Sequence, residues 1–395
     1  MPTYLVTGGT GFLGTHVVQQ LVQAGHQVHV LARSRGSSAG PASSEAGSGS
    51  AGSGTVTFHK GSVTSVADIL AAVQKPSPAA QNAAGALAQA QTSDNAAAST
   101  SEVSPASSEH IQLDGIFHLA GVVTHSNNPA LVADMFKTNV DGTVAVIDAA
   151  ARLGNCRVVL ASTSGVVACS FDSTQVANDD SPYCTDAVAN LPYYQQKIAV
   201  EQQVQQLARE RNVEVVMMRP TLVLGPGDAR LSSVRTVRDF VKRNIPFTPS
   251  GGLSAVDVRD AATAFISAMT SPAAVGNTYL LNGYNSSVRD FFQLLQTETG
   301  VHAPRLSVPG WMAIAGAVVL DGLVRLFTGR RDPSIDPAYA RMGTLFWYAS
   351  IGAESRAGRD LGWKTRDIRE TVRDTLQWLR DNEELVSRLE RGEAA

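Results

Sequence analysis

The stretch "TYLVTGGTGFLGTHVVQQLVQAG" (residues 3–25) joins a short apolar run, three regularly spaced glycines and a helical pattern. Leu13, Val17 and Leu21 recur every four residues and so share one face of a helix. Gly25 follows at the position where a helix commonly ends. The stretch therefore predicts a strand, a glycine-rich turn and a helix, in that order.

The glycines Gly8, Gly11 and Gly14 stand where a dinucleotide-binding protein has its phosphate loop. Gly8 permits a tight turn, Gly11 lets the backbone approach a pyrophosphate, and Gly14 lets the helix pack closely on the strand. The free N–H groups at the start of the helix attract phosphate. A glycine-rich turn without a ligand is the alternative. Three glycines are conformationally costly, however, and their presence favours a bound dinucleotide.

The rest of the chain alternates short apolar, β-rich runs with amphipathic helical patterns, which is typical of βαβ units and a parallel sheet. The fold class predicted is α/β, a Rossmann-type doubly wound parallel sheet covered on both faces. The predicted strands lie at residues 4–7, 28–32, 56–59, 115–120, 158–162 and 213–219.

Two segments are too poor in large apolar side chains to belong to a core. Residues 34–54 are rich in Gly, Ser and Ala, and residues 75–110 are rich in Ala, Ser and Gln. Neither segment buries enough apolar surface to offset the entropy of ordering it. We interpret both as flexible surface insertions, which lengthen a loop at little cost in stability.

Charge and composition exclude some classes of partner. The 395 residues carry a formal net charge of −3, which does not favour binding to nucleic acid. Three cysteines form no disulfide framework, and no cluster of metal ligands is expected. A strand pattern begins at Tyr4, so we expect no targeting peptide and an intracellular, cytoplasmic protein, with a plastid location left open.

The apolar stretch "WMAIAGAVVL" (Trp311–Leu320) ends at Asp321. It is too short to span a bilayer, which requires about 20 residues. Two interpretations remain: a helix buried in the protein, or a helix within 311–327 that contacts a membrane surface or covers the substrate.

The end of the second strand carries a cue to the cofactor. An acidic side chain there binds the ribose of NAD, but the sequence has Arg33, Ser34 and Arg35. An arginine can hold the 2′-phosphate of NADP, whereas a carboxylate would repel it. The sequence therefore favours NADP over NAD, with Arg33 as the phosphate-binding residue; a solvated arginine is the alternative.

Several motifs together resemble the extended short-chain dehydrogenase/reductase family, which includes NAD-dependent epimerases and dehydratases, dihydroflavonol reductases and 3β-hydroxysteroid dehydrogenases. They are "GGTGFLG", "FHLAG", "FKTNVDGT", "VVLASTSGVV", "PYYQQK" and "MMRPTLVLGPGD". The resemblance covers roughly the first 285 residues outside the two insertions. It implies a Rossmann domain at 1–221 and a smaller, mainly substrate-binding lobe at 222–395, with about 256–285 returning to the Rossmann domain.

Tyr193 and Lys197 lie four residues apart on one predicted helix face. A free tyrosine titrates near about 10, and an adjacent ammonium group would lower its pKa towards neutral pH. The resemblance therefore implies that Tyr193 is the acid/base and that Lys197 tunes it. It further implies that Ser164 orients the substrate oxygen and that Asn139 holds a water or main-chain group. From spacing alone, Thr163 is an alternative to Ser164.

The resemblance also implies the set of residues that binds the cofactor. At Ser62 the family commonly has an aspartate, so the adenine contact loses its charge here. The residues implied are Gly8, Thr10, Gly11, Phe12, Leu13, Gly14, Arg33, Ser62, Val63, Leu119, Ala120, Gly121, Lys197, Pro220 and Thr221. Family members often form homodimers through the Tyr/Lys helix, so a homodimer is one expectation.

The predicted function is an NADP(H)-dependent oxidoreductase that interconverts a hydroxyl and a carbonyl on an apolar small molecule, steroid-, terpenoid- or flavonoid-like. Arg33 and the apolar segments after residue 222 favour it. A nucleotide-sugar epimerase or dehydratase with tightly bound NAD is the first alternative. A non-catalytic NADP-binding regulatory or assembly protein is the second, and retention of Tyr193 and Lys197 speaks against it.

Overall fold

The computed structural model describes residues 1–34, 54–74, 110–125, 128–328, 337–352 and 355–390. The two segments interpreted as insertions lie almost wholly outside these residues, as does Arg35. At the second of them, an antiparallel bridge between Gln74 and His110 joins the two flanking stretches of chain.

The described residues form ten strands in two sheets. In the larger sheet seven parallel strands follow the order β3-β2-β1-β4-β5-β6-β9, which confirms the Rossmann-type prediction. The smaller sheet has the order β10-β8-β7. The strands are β1 (Thr3–Thr7), β2 (Gln27–Ala32), β3 (Thr55–Lys60), β4 (Gly115–His118), β5 (Arg157–Ala161), β6 (Val215–Pro220), β7 (Leu222–Leu224), β8 (Gly252–Asp257), β9 (Thr278–Leu281) and β10 (Tyr284–Ser287).

Helices cover both faces of the larger sheet and build the C-terminal part of the chain. They are α1 (Phe12–Gln23), α2 (Val66–Ala71), α3 (Pro129–Phe136), α4 (Gly142–Arg152), α5 (Pro192–Arg211), α6 (Arg235–Val241), α7 (Val258–Thr270), α8 (Val288–Thr299), α9 (Gly310–Thr328), α10 (Pro337–Met342), α11 (Arg356–Leu361), α12 (Ile368–Asp381) and α13 (Glu383–Glu390). A π-helical segment at Lys137–Asp141 joins α3 to α4, and a short 3₁₀ helix spans Ser164–Val166.

Alternation along the strands sends neighbouring side chains into different cores. In β1, Val6 belongs to the core that Val17 of α1 and Phe265 of α7 share. Leu5 belongs to the core on the opposite face, with Val146 of α4. Because both faces are covered, the open edge that remains for a ligand is at the carboxyl ends of the strands.

The C-terminal part has its own core between α6, α8 and α12, where Phe240, Phe291, Val372 and Leu376 are buried together. The smaller sheet contacts this core through Ala255 of β8. The elements of the C-terminal part thus come together above the carboxyl end of the larger sheet's β6, because β7 follows that strand directly.

Helix α9 contradicts one interpretation of the sequence. The apolar segment continues past Asp321, and the 18 residues Gly310–Phe327 are long and apolar enough to cross a membrane by length and composition, the one such helix in the described parts of the chain. Only 11% of this window is buried. The interpretation of the segment as a buried helix is therefore wrong.

Candidate active site

The glycine loop between β1 and α1 is fixed by close backbone contacts. Gly8 has φ +74°, and a methyl group on it would lie 2.5 Å from the backbone nitrogen of Ala120 at the end of β4. A methyl group on Gly14 would lie 2.1 Å from the carbonyl oxygen of Gly8. Both positions exclude a side chain because the nearest atoms are backbone atoms, which cannot turn away. Gly14 thus packs α1 against its own loop.

Gly11 differs from the other two glycines. Its φ of −86° is open to any residue, and among the described atoms only the Gly8 carbonyl oxygen, at 3.2 Å, lies within 4 Å of an added methyl group. Gly11 caps α1 without a side-chain hydrogen bond. The first N–H groups of α1 lack partners within the helix and favour an anion at this end. The loop therefore fits the phosphates of a dinucleotide.

Arg33 and Ser62 follow neighbouring strands at the same edge of the sheet. Arg33 is exposed directly after β2, and Ser62 lies two residues after β3. The backbone nitrogen of Ser62 donates to a carboxylate oxygen of Asp68 at 2.7 Å, so an aspartate from α2 approaches the position at which the family's own aspartate is missing. Val63 packs near Gly142 of α4.

The Tyr193 phenol and the Lys197 ammonium lie on one face of α5, as the spacing predicts. The Thr163 side chain lies near the Tyr193 hydroxyl and favours its ionised form. Lys197 is buried, and its Nζ donates to the carbonyl oxygen of Ala161 at 2.9 Å. The helix thereby brings its polar face to the carboxyl end of β5.

The electrostatics of this pair differ from the expectation. Burial raises the pKa of Tyr193 to about 12, with the neighbouring Thr163 side chain acting in the opposite direction. Burial lowers the pKa of Lys197 to about 8, and Glu201 partly offsets this by favouring the charged form. Burial therefore sets the pKa of Tyr193, which lies above its ordinary value rather than below it as expected, and the phenol is protonated at neutral pH.

Thr163 and Ser164, the two candidate orienting hydroxyls, lie in different local environments at the end of β5. Thr163 has extended backbone angles and caps the 3₁₀ helix by accepting a hydrogen bond from the Gly165 nitrogen. Ser164 is buried as the first residue of that 3₁₀ helix. Both hydroxyls therefore lie at the turn that follows β5, and Thr163 and Ser164 both remain candidates for the residue that orients the substrate oxygen.

Asn139 ties two elements of the site together from the middle of the π-helical segment. Its Oδ1 accepts from the Val122 nitrogen at 2.7 Å, and its Nδ2 donates to the Val122 carbonyl at 2.8 Å and to Oε1 of Gln196 at 3.0 Å. Gln196 is wholly buried beside Lys197. Asn139 thus fixes the loop after β4 to the helix that carries the phenol.

A buried histidine, His118, was missed by the sequence reasoning. Its Nδ1 lies 2.7 Å from the Thr7 hydroxyl, and its Nε2 lies 3.1 Å from the Thr143 hydroxyl, which donates to the Asn139 carbonyl at 2.7 Å. Because the Thr143 hydroxyl donates its proton to the Asn139 carbonyl, it can only accept a hydrogen bond from His118. In the neutral ring, Nε2 of His118 therefore carries the proton. Burial and Lys197 lower the pKa of His118 to about 3. The histidine in "FHLAG" is the only sequence signal for this network.

A second missed group is the buried pair of Glu201 and Arg219. Glu201 lies one helical turn beyond Lys197 on α5, and both side chains of the pair are at most 5% exposed. Arg219 donates to the two carboxylate oxygens at 3.0 and 2.5 Å, and the Ser162 hydroxyl donates to one of them at 2.5 Å. The spacing of Tyr193, Lys197 and Glu201 could have indicated this residue.

Aromatic rings surround the partly exposed Tyr193. The ring centroid of His125 lies 5.5 Å from that of Tyr193 and 5.5 Å from that of Tyr339 on α10. Tyr194 lies 5.1 Å from Tyr193 and 4.9 Å from Trp347. Aromatic side chains from several segments of the chain therefore lie around the Tyr193 ring.

The other predicted cofactor residues lie at the carboxyl ends of two strands, β4 and β6, which flank β5 in the sheet. Leu119, Ala120 and Gly121 follow β4, and Ala120 lies against Gly8 as described above. Pro220 ends β6, and the Thr221 hydroxyl donates to the Leu281 carbonyl at 3.1 Å. The structure thus gathers these positions, with the glycine loop and Tyr193, along one edge of the sheet.

A cavity of about 670 Å³ lies beside this edge rather than at it. Its lining consists of residues 167–172, 175–177 and 181–187 with Phe346 and Tyr348. Tyr193 and Thr163 are not among its lining residues. The cavity is therefore separate from the predicted catalytic residues.

The sequence profile of the NAD dependent epimerase/dehydratase family matches residues 4–282. The chain belongs to this family. Its relatives place the family within the extended short-chain dehydrogenases/reductases, as the motifs indicated. Its members bind NAD(P) and act on CH–OH groups, so the expectation of an NAD(P)-dependent enzyme of this class is confirmed.

Relatives of this enzyme include both reductases and epimerases. Sterol demethylase protein B of Methylococcus capsulatus is 28% identical over 68% of this chain and 79% of its own. Tetraketide alpha-pyrone reductase 2 of Arabidopsis thaliana is 24% identical over 70% of this chain and 76% of its own. The UDP-glucose 4-epimerase of Thermus thermophilus, solved with NAD, has a TM-score of 0.60 at 18% identity, covering 96% of this chain and 99% of its own, and shares the fold.

Proposed function

We propose that the chain is an NADP(H)-dependent oxidoreductase that interconverts a hydroxyl and a carbonyl on an apolar, steroid-, terpenoid- or flavonoid-like small molecule. The observation that carries the proposal is the Tyr193 phenol, which lies near Thr163 and against the rings of His125 and Tyr194. A proton donor in apolar surroundings suits a substrate whose reacting oxygen belongs to an otherwise apolar body.

Proton transfer is assigned to this chain's own groups. Tyr193, whose pKa is about 12, is protonated at neutral pH and donates its proton to the substrate oxygen as that oxygen gains negative charge. Thr163 holds the same oxygen in line with the phenol. Lys197, charged at pH 7, stabilises the phenolate that remains after donation. The hydrogen bond from Asn139 to Gln196 holds α5 in the position from which Tyr193 and Lys197 reach the substrate oxygen.

The cofactor assignment follows from the loop and the strand ends. Gly11 and the start of α1 would hold the phosphates, and the exposed Arg33 would hold a 2′-phosphate. When bound, a nicotinamide dinucleotide supplies or accepts the hydride. The described residue directly after β2 is a cation, which supports NADP over NAD.

The substrate class is supported by the rings of His125, Tyr339 and Trp347 near the phenol. The names of the sterol and pyrone relatives point in the same direction. A nucleotide-sugar epimerase using NAD is the rival, which the likeness to the UDP-glucose 4-epimerase supports.

The first test compares Tyr193→Phe with Tyr284→Phe in NADPH consumption over a panel of apolar carbonyl compounds. Tyr284 is a half-buried phenol of β10 outside the site and serves as the matched control. Loss of one positioned proton donor is expected to lower kcat by about 100-fold or more, with the control unchanged. Equal turnover by wild type and Tyr193→Phe would refute the assignment. Inversion of a sugar nucleotide without net cofactor consumption would establish the epimerase instead.

The second test measures NADPH and NADH affinity in wild type and Arg33→Ala. Removing a charge-assisted contact worth about 1.5–3 kcal/mol is expected to weaken NADPH binding roughly 10- to 100-fold and to leave NADH nearly unchanged. A wild type that binds NADH more tightly than NADPH would contradict the assignment of Arg33.

A further inference from the structure

Helix α9 presents its apolar side to the outside. The most exposed side chains are Trp311 (72%), Leu326 (77%) and Phe327 (81%). Along the same outward side lie Met312, Val318, Val319, Leu320 and Leu323, all exposed. A surface helix of an ordinary soluble domain turns its apolar stripe inward and its charges outward. Helix α9 does the reverse.

The inward side of α9 shows the same reversal, because it holds the acidic residue of the helix. Ala313 and Asp321 are its buried residues, and Asp321 is the only acidic side chain of the helix. The single cation, Arg325, bonds Asp321 one turn away. The Arg325 side chain is 42% exposed but is bonded to Asp321, so the only charged groups of the helix are paired with each other.

Charge around α9 indicates the kind of partner. In the sequence, residues 305–341 carry a net charge of +2, whereas the whole chain carries −3, and the charged residues of this stretch that the structure describes, Arg305, Asp321, Arg325 and Arg341, also sum to +2. The remainder of the chain therefore carries −5. Arg305 is exposed before the helix, and Leu306 beside it is also exposed. A positive margin around an apolar face matches an anionic lipid surface.

The ends of the helix carry rings that suit a membrane interface. Trp311 and Phe327 lie at opposite ends of the exposed side, and tryptophan favours the boundary between headgroups and acyl chains. We propose that α9 lies flat on an anionic lipid bilayer, with its outward side, defined by Trp311, Val319, Leu323, Leu326 and Phe327, in the headgroup–acyl boundary. The proposal concerns a surface contact, because Asp321 and the packed inward side remain with the protein.

The membrane face adjoins the candidate active site. Helix α10 packs against α9, and its Tyr339 is 48% exposed while its ring reaches His125 next to Tyr193. An apolar substrate dissolved in the bilayer would meet the site along this route. Only this last step rests on the proposed function, since lipid binding is measured without substrate.

The test is flotation of the full-length protein with vesicles of phosphatidylcholine, with and without phosphatidylserine. Val319→Glu/Leu323→Glu/Leu326→Glu places three charges on the outward side, and Val275→Glu, which alters an exposed valine away from α9, is the matched control. We expect wild type and control to float with anionic vesicles, and the triple variant to partition at least tenfold less. All three should retain the same circular dichroism and melting temperature, because the altered side chains are exposed.

Further measurements separate the rival occupants. Anionic vesicles should shift the Trp311 fluorescence to shorter wavelength, a change that Trp311→Phe removes, and alkaline carbonate should release the protein. Wild type that stays unbound at all lipid concentrations, or a triple variant that floats like wild type, would overturn the proposal. So would resistance to carbonate, which indicates a spanning helix. A lipid-free wild-type dimer that the triple variant dissociates, without flotation, would assign the face to a second copy of the chain.

Discussion

Replacing the buried carboxylate Glu201 by glutamine tests two roles of this residue: its contribution to the free energy of unfolding and its effect on the pKa of Lys197. Glu201 accepts two hydrogen bonds from Arg219 and one from Ser162, with no exposure to water. Glu201→Gln keeps the size of the side chain but leaves the guanidinium of Arg219 without its counter-charge. Removing one partner of a buried pair costs about 3–5 kcal/mol, a large share of the roughly 5–15 kcal/mol by which domains are stable. Denaturant unfolding measures this loss.

The same substitution is expected to move the pH profile. Glu201 raises the pKa of Lys197, opposing the burial that brings it down to about 8. Without Glu201 the pKa of Lys197 falls further, so the ammonium group is lost at a lower pH. The alkaline decline of kcat should therefore begin at a lower pH than in wild type. The assay is the rate of carbonyl reduction between about pH 6 and 10 at saturating cofactor.

A matched double variant separates stability from tuning. Glu201→Leu/Arg219→Met replaces the pair with apolar side chains of similar volume, which is often close to neutral for stability. It should recover most of the stability lost in Glu201→Gln but retain the shifted pH profile, because Lys197 still lacks its partner. An unfolding free energy of Glu201→Gln within about 1 kcal/mol of wild type would refute the argument for the buried pair. If the alkaline decline of kcat begins at the wild-type pH in both variants, the argument that Glu201 raises the pKa of Lys197 is refuted.

Two further predictions concern neighbouring residues with contrasting environments. Gly14→Ala places a methyl group 2.1 Å from the Gly8 carbonyl and should cost about 3 kcal/mol in unfolding free energy. Gly11→Ala should leave stability almost unchanged yet weaken NADPH binding; equal unfolding midpoints for the two variants would contradict this. Thr163→Val should lower kcat at least tenfold, because the Thr163 side chain lies near the phenol and favours its ionised form, whereas Ser164→Ala should change it less. A larger loss of activity in Ser164→Ala would return the orienting role to Ser164.

Local sequence pattern determined much of the fold. The glycine spacing of Gly8, Gly11 and Gly14 and the alternation of strands and helices are properties of short segments, since they follow from backbone sterics and side-chain period. The four-residue offset between Tyr193 and Lys197 likewise fixes a shared helix face. These features sufficed for the Rossmann-type sheet and for the family.

The tertiary structure decided which groups act and in what electrostatic setting. Thr163 and Ser164 are adjacent, and only the turn after β5 determines which of them reaches the phenol. The pKa of Tyr193 depends on burial by rings from distant segments, which no local pattern encodes. The apolar composition of α9 was plain in the sequence. Which of its sides faces outward was not, because that depends on what the rest of the chain packs against it.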